Sequence, residues 1–329
     1  MSPFRINFTS RLSLTRIKRH YKCLPNIVLQ KRTRNIGAVP ILGLSFFTWL
    51  GFDKNLSAED ELILSIKHCI LFIQRGEFDK AEQLLHVSLR QAQQLHNELG
   101  ITYIYDIMAN LALEREQLDK AKNLFVAVAQ RVIANGANQD DIRVVHISAK
   151  LARISHLKRE YETAQIGFEW CLNHLEKAIQ TDPTEDNLKL LAITEDWYGR
   201  LFIDCKKFEQ GLKLLINSLN RTREMALDDN NKHVALQLND IGTTCHMIGN
   251  CEESINYLKE AAEIGEKIPD FEYLGVIYVN LGKALLTKIL LKEAKLYCGK
   301  GWKLSILSKN EELRNEAESC FKEIKSLKG

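Results

Sequence analysis

Cys245, His246 and Cys251 lie close together in the sequence and invite a metal reading, since thiolates and imidazole are the usual ligands of tetrahedral zinc. On a helix, however, positions 245 and 251 point to different faces, and no fourth ligand is evident, so packing in a core or groove is the simpler account. Gly282-Lys283 looks like the end of a phosphate-binding loop, but Ala284 stands where a serine or threonine hydroxyl is needed, and the residues before it read as helix. The Gly-x-Gly-x-x-Gly, His-Glu-x-x-His and Gly-x-Ser-x-Gly patterns do not occur, and the nine histidines are dispersed. The expectation is a protein that is not an enzyme and that uses no metal or cofactor. What remains is recognition chemistry. Asp106 and Asn110, Arg153 and His156, Asp196 and Arg200, Asn239 and Thr243, and Lys283 could hold peptide backbone and carboxylates through paired hydrogen bonds; the plainer reading of each is a solvated helix face.

These residues are placed by a register of small side chains. Cys69 is followed twelve positions later by Ala81, Ala109 by Ala121, Ala152 by Ala164, Gly199 by Gly211, Gly242 by Ser254 and Gly282 by Ala294. The spacing predicts antiparallel helix pairs, because only small residues let two backbones meet at a tight crossing. Three positions before each second small residue stands an apolar or sulfur-bearing one, such as Phe78, Leu118 or Phe208, and four after it another, such as Leu85, Phe125 or Leu215. That places them one turn apart on one helix face. The second small residues fall at 81, 121, 164, 211, 254 and 294, giving periods of 40, 43, 47, 43 and 40. Loops are expected at 134–141, 181–187, 226–233 and 268–270, where Gly, Pro, Asn or Asp break the apolar pattern, and a last helix at 309–327. The candidate binding residues sit three before, one after or four after the first small residue of a pair.

Charge divides the chain. Residues 1–52 hold nine Lys or Arg and no acid, leaving 36 basic and 42 acidic residues in the remainder, a net of −6. No nucleic-acid footprint is present in that body. The first 34 residues are rich in arginine and hydroxyls and free of acids, as in a mitochondrial presequence. Residues 35–52 are uncharged and long enough to be a minimal membrane anchor; the alternative is a presequence tail or an apolar segment packed on the first helix. The eight cysteines are scattered through helical patterns, mostly at apolar positions, with no Cys-x-x-Cys pair, and read as buried free thiols.

RGEFDKAEQLL at 75–85, EQLDKAKNLF at 116–125, REYETAQIGF at 159–168 and IGNCEESINYL at 248–258 resemble the tetratricopeptide repeat. The chain is therefore expected to be all-α, a tetratricopeptide-like helical-hairpin solenoid of about six elongated repeats over 56–308 with a C-terminal capping helix in 309–329. The elongation, with Asn on the first helix, resembles kinesin light chains, and a cytosolic scaffold or cargo adaptor is the alternative reading. In this repeat the first helix of each pair lines a concave groove. Ile66 and Ile70 stand where the chaperone-binding subset of the fold has Lys and Asn, which argues against a chaperone-tail clamp. Taken whole, with FDKAEQLLHVSLRQAQQL and ITYIYDIMANLA especially similar, the chain resembles the mitochondrial tetratricopeptide repeat protein 19 family. That resemblance implies a non-catalytic adaptor at the mitochondrial inner membrane. Its partners would be subunits of respiratory complex III, the cytochrome bc1 complex, including the Rieske protein. Its role would be assembly and upkeep of that complex, including turnover of Rieske fragments.

Overall fold

The computed structural model describes residues 57–225 and 231–327. The basic segment 1–34, the apolar segment 35–52 and positions 226–230 of one expected loop lie outside the described residues. Among the described residues there are thirteen α-helices and no strand. In chain order they are α1 Ala58–Gln74, α2 Phe78–Gln94, α3 Glu98–Glu114, α4 Leu118–Ala134, α5 Ile142–Leu157, α6 Tyr161–Thr181, α7 Glu185–Asp204, α8 Phe208–Glu224, α9 Asn231–Met247, α10 Cys251–Glu266, α11 Leu274–Thr287, α12 Leu291–Leu307 and α13 Glu311–Ser326. The chain splits into two compact units between Glu160 and Tyr161, the first holding α1–α5 and the second α6–α13.

Local chemistry sets the helix ends. Four of the helices that open a repeat, α1, α3, α5 and α7, carry side-chain N-caps: Ser57 accepts from the Asp60 N–H, Asn97 from Gly100, Asp141 from Arg143 and Thr184 from Asn187. The returning helices α2, α4, α8, α10 and α12 have no side-chain cap, because each starts directly from a tight turn. Those turns share one geometry. In the first, Gly76 has φ +76°, its N–H donates to the Ile73 carbonyl, and the Glu77 N–H donates to the Phe72 carbonyl. This is the Schellman arrangement, which satisfies the last carbonyls of the helix. The same pair of bonds closes α3 at Glu116 and Gln117, and α11 at Ile289 and Leu290.

The small-residue register is the packing rule. A Cβ added to Gly211 would lie 2.7 Å from the Gly199 carbonyl oxygen, and one added to Gly199 would lie 3.0 Å from the Gly211 oxygen. At Gly242 an added Cβ would lie 3.2 Å from the Ser254 oxygen and at Gly282 3.3 Å from the Ala294 oxygen. Cys69, Ala81, Ala109 and Ala121 are fully buried. Of the pair Ala152 and Ala164, one residue falls in each unit, and both are buried. The long periods arise from long helices and, at 135–141, from a longer connection. Two 17-residue helices and two three-residue turns make the first period of 40, whereas the 21 residues of α6 and the 20 of α7 stretch a later one to 47. A first helix such as α3, with returning helices packed on both sides, is buried nearly all round, whereas α1 buries five residues and α4 only Ala121, Phe125, Val128 and Val132.

The expectation of free thiols fails at one place. Cys298 of α12 and Cys320 of α13 form a disulfide, with Cα atoms 6.4 Å apart. Both occupy core positions, and α13 turns back onto α12 so that the two side chains meet. Cys69 and Cys171 are buried thiols pushed up to about 12, and Cys245 up to about 11, in each case chiefly by burial.

Candidate protein-binding surface

In the first unit, Asp106 and Asn110 project from α3 and Arg153 and His156 from α5, and all four are buried. The Asn110 amide donates to the Asp106 backbone carbonyl at 2.7 Å. Arg153 Nη1 lies 2.7 Å from His156 Nδ1. Asp106 also faces Lys150 of α5, at 3.6 Å, and Lys150 in turn sits over the Phe125 ring.

In the second unit the candidates form a chain of tethers between successive first helices and on to the capping helix α13. Arg200 of α7 donates through Nε to Asp196 at 2.9 Å and through Nη2 to Asp240 of α9. Burial pushes the guanidinium pKa down, but the two carboxylates outweigh it and raise the pKa. Asn239 of α9 accepts from the Asn280 amide of α11 at 2.9 Å. Lys283 of α11 pairs with Glu316 of α13. Thr243 is half-buried and donates only to backbone carbonyls of its own helix, Asn239 at 2.9 Å and Asp240 at 3.0 Å. Thus most of the predicted residues are engaged within the fold, and in the second unit the residues that pair with them, Asp240, Asn280 and Glu316, are half-buried. Removing Arg200 would strand two carboxylates, so its replacement reports on stability before it reports on docking.

Sequence reasoning missed four partners: Lys150, Asp240, Asn280 and Glu316. The first three share one register position, two before the small residue, so the same alignment of repeats could have found them. Glu316 lies on the capping helix, outside the register. The Cys245, His246 and Cys251 trio is dispersed: Cys245 is buried and lies 4.0 Å from Glu253, while Cys251 is half-buried and points to the Gly249 carbonyl. Among the described residues no group of three or more His, Cys, Asp or Glu side chains is placed to hold a metal ion.

Antiparallel helix pairs in this register, stacked by polar tethers between first helices, define an all-α helical repeat solenoid of the tetratricopeptide type, a protein-binding fold. No protein-family model matches the chain. A solved protein from Pyrococcus horikoshii, a signal-transduction ATPase with a tetratricopeptide repeat sensor, superposes with a TM-score of 0.59 at 15% identity over 80% of this chain, which spans 37% of that protein. This likeness concerns the fold alone. Tetratricopeptide repeat protein 19 homolog, mitochondrial, from Drosophila melanogaster is 35% identical over 275 residues, covering 83% of this chain and 74% of that protein. Tetratricopeptide repeat protein 19, mitochondrial, from Homo sapiens is 30% identical over 285 residues, covering 82% and 74%. The chain belongs to the tetratricopeptide repeat protein 19 family.

Proposed function

We propose that this protein is a non-catalytic adaptor at the mitochondrial inner membrane that docks on respiratory complex III and supports its assembly and integrity, including turnover of Rieske subunit fragments. Family membership supports the reading, and relatives named mitochondrial favour it over a cytosolic scaffold. The observation that carries the binding role is the polar row of the second unit, Arg200–Asp240, Asn239–Asn280 and Lys283–Glu316. Each tether fixes a first helix against the next and leaves Asp240, Thr243, Asn280 and Glu316 half-buried, so hydrogen-bonding groups are held in place before a partner arrives. Such preorganisation lowers the ordering cost of binding. Affinity purification from mitochondria should recover complex III subunits. Thr243→Arg, which adds bulk at a half-buried position and removes only intrahelical bonds, should reduce that recovery with melting unchanged. Recovery at the wild-type level would move the docking site away from this face.

A further inference from the structure

One surface of the second unit has a composition unlike the rest and no part in the tethers. From Lys288 to Leu307 the chain carries five lysines and a single acid, Glu293. Glu293 is paired with Lys259, and Lys300 with Glu266. Lys288, Lys292, Lys295 and Lys303 are exposed and form no ion pair among the described residues. Along α12 the side opposite its buried residues Ala294, Cys298, Gly301 and Ser305 presents Lys292, Leu296, Gly299, Lys303 and Leu307. Their spacing of four, three, four and four makes one straight row about 22 Å long at 1.5 Å per residue. Leu296 is 57% exposed and Leu307 79%.

The turn entering α12 adds a second, independent observation. Ile289 occupies the left-handed position that closes α11, at φ +57°. Gly76 and Gly249 fill the corresponding position in two other repeats and Glu116, Arg159 and Lys206 in three more, so the turn itself sets the positive φ; among the described residues Ile289 is the β-branched one there, where such a residue is least at ease. Yet Ile289 is 67% exposed, so packing in the core does not explain its side chain. An exposed, β-branched apolar residue held at this turn leads directly into the lysine–leucine row.

We propose that the outer ridge of α12, with Ile289 at its N-terminal end, docks on an anionic phospholipid surface. The chemistry fits a membrane better than a protein. Lysine is depleted at protein interfaces and arginine and aromatics are enriched there, whereas here lysines alternate with aliphatic residues on a projecting ridge. Lysine stems lie along an apolar layer and carry the ammonium to headgroup phosphates, while the leucines enter the acyl boundary. The next outer helix, α10, holds five glutamates against one lysine, which confines the attraction to the α12 end. The inference does not depend on complex III being the partner.

The test is sedimentation of the full-length protein with vesicles of phosphatidylcholine alone or mixed with phosphatidylglycerol. Wild type should partition preferentially to the anionic vesicles. Lys292→Ala with Lys303→Ala should weaken that partition about 30-fold, because each lysine at an anionic surface accounts for roughly a fivefold factor. Ile289→Gly should also weaken it while raising the melting temperature, a combination that loss of folding cannot produce. Anionic partition equal to wild type in these variants would assign lipid contact to residues 1–52 and overturn the proposal. Equal binding to both vesicle types would do the same. So would variants that keep vesicle binding but lose an acidic protein partner.

Discussion

An added methyl group at Gly211 would sit 2.7 Å from the Gly199 carbonyl oxygen and equally close to the Ile203 side chain, whereas at Gly299 it would meet nothing within 4 Å. The two positions separate packing from propensity. Gly211→Ala should lower stability by about 1–3 kcal/mol, since the facing atom is backbone and cannot step aside. Gly299→Ala should raise it by about 0.5–1 kcal/mol through helix propensity. Thermal melts of the pair decide the matter, and similar shifts for both would refute the crossing. His246 supplies a pH dependence at the same scale. Burial, then the charge of Lys283, lowers its pKa below the ordinary 6.5, with Glu323 opposing. Above 6.5 the imidazole is neutral in both folded and unfolded chains. As pH falls below 6.5, the unfolded chain takes up the proton first, so stability is lost from there down through the lowered folded value. Urea midpoints measured at about pH 7.5 and about 5.5 should therefore draw closer together in His246→Gln than in wild type. A variant with the same pH dependence would remove His246 from this role. The sequence showed that Arg200, Asn239 and Lys283 recur in register, but not that Arg200 and Asn239 would be held by residues of the next repeat and Lys283 by the capping helix. Periodicity gives the face of a helix; the tether depends on which side chain the neighbouring helix brings to it.

The helix pairs were readable because their crossing tolerates so little. Six pairs of small residues twelve apart leave one antiparallel arrangement, and turns at Gly76 and Gly249 carry the expected glycine. Turns closed by His96, Glu116, Arg159, Lys206, Ile289 and Lys309 lacked that signal, since those residues adopt positive φ only because the two flanking helices impose it. The disulfide was hidden for a related reason: Cys298 and Cys320 occupy core positions that any small apolar residue could fill, and their meeting depends on how α13 folds back. A single substitution tests the register at this scale. Ala121 is fully buried at the crossing of α3 and α4, while the adjacent Lys122 is 43% exposed and contacts Glu160 at 3.9 Å. Ala121→Leu should destabilise by about 1–3 kcal/mol, and Lys122→Leu should lie within about 0.5 kcal/mol of wild type. Equal melting temperatures for the two variants would mean that the helices cross elsewhere.

At the scale of the whole molecule, charge and hydrophobicity are sorted along the chain. All the described helices together are acidic on balance, and none is long and apolar enough to cross a membrane. The candidate anchor, 35–52, is the uncharged stretch behind nine basic residues and lies outside the described helices. The ridge of α12 offers a different kind of contact, electrostatic and shallow. The two respond differently to alkaline carbonate, which discharges lysines and strips surface-held proteins but leaves a spanning segment in the bilayer. If 35–52 anchors the protein, the mature form should stay with mitochondrial membranes through carbonate, and a fragment beginning at Leu56 should be released by it. The same fragment should still bind anionic vesicles at low salt and lose them as salt rises, because screening shortens the reach of surface charge to about 10 Å at 0.1 M. Complete carbonate release of the mature protein would rule out the anchor.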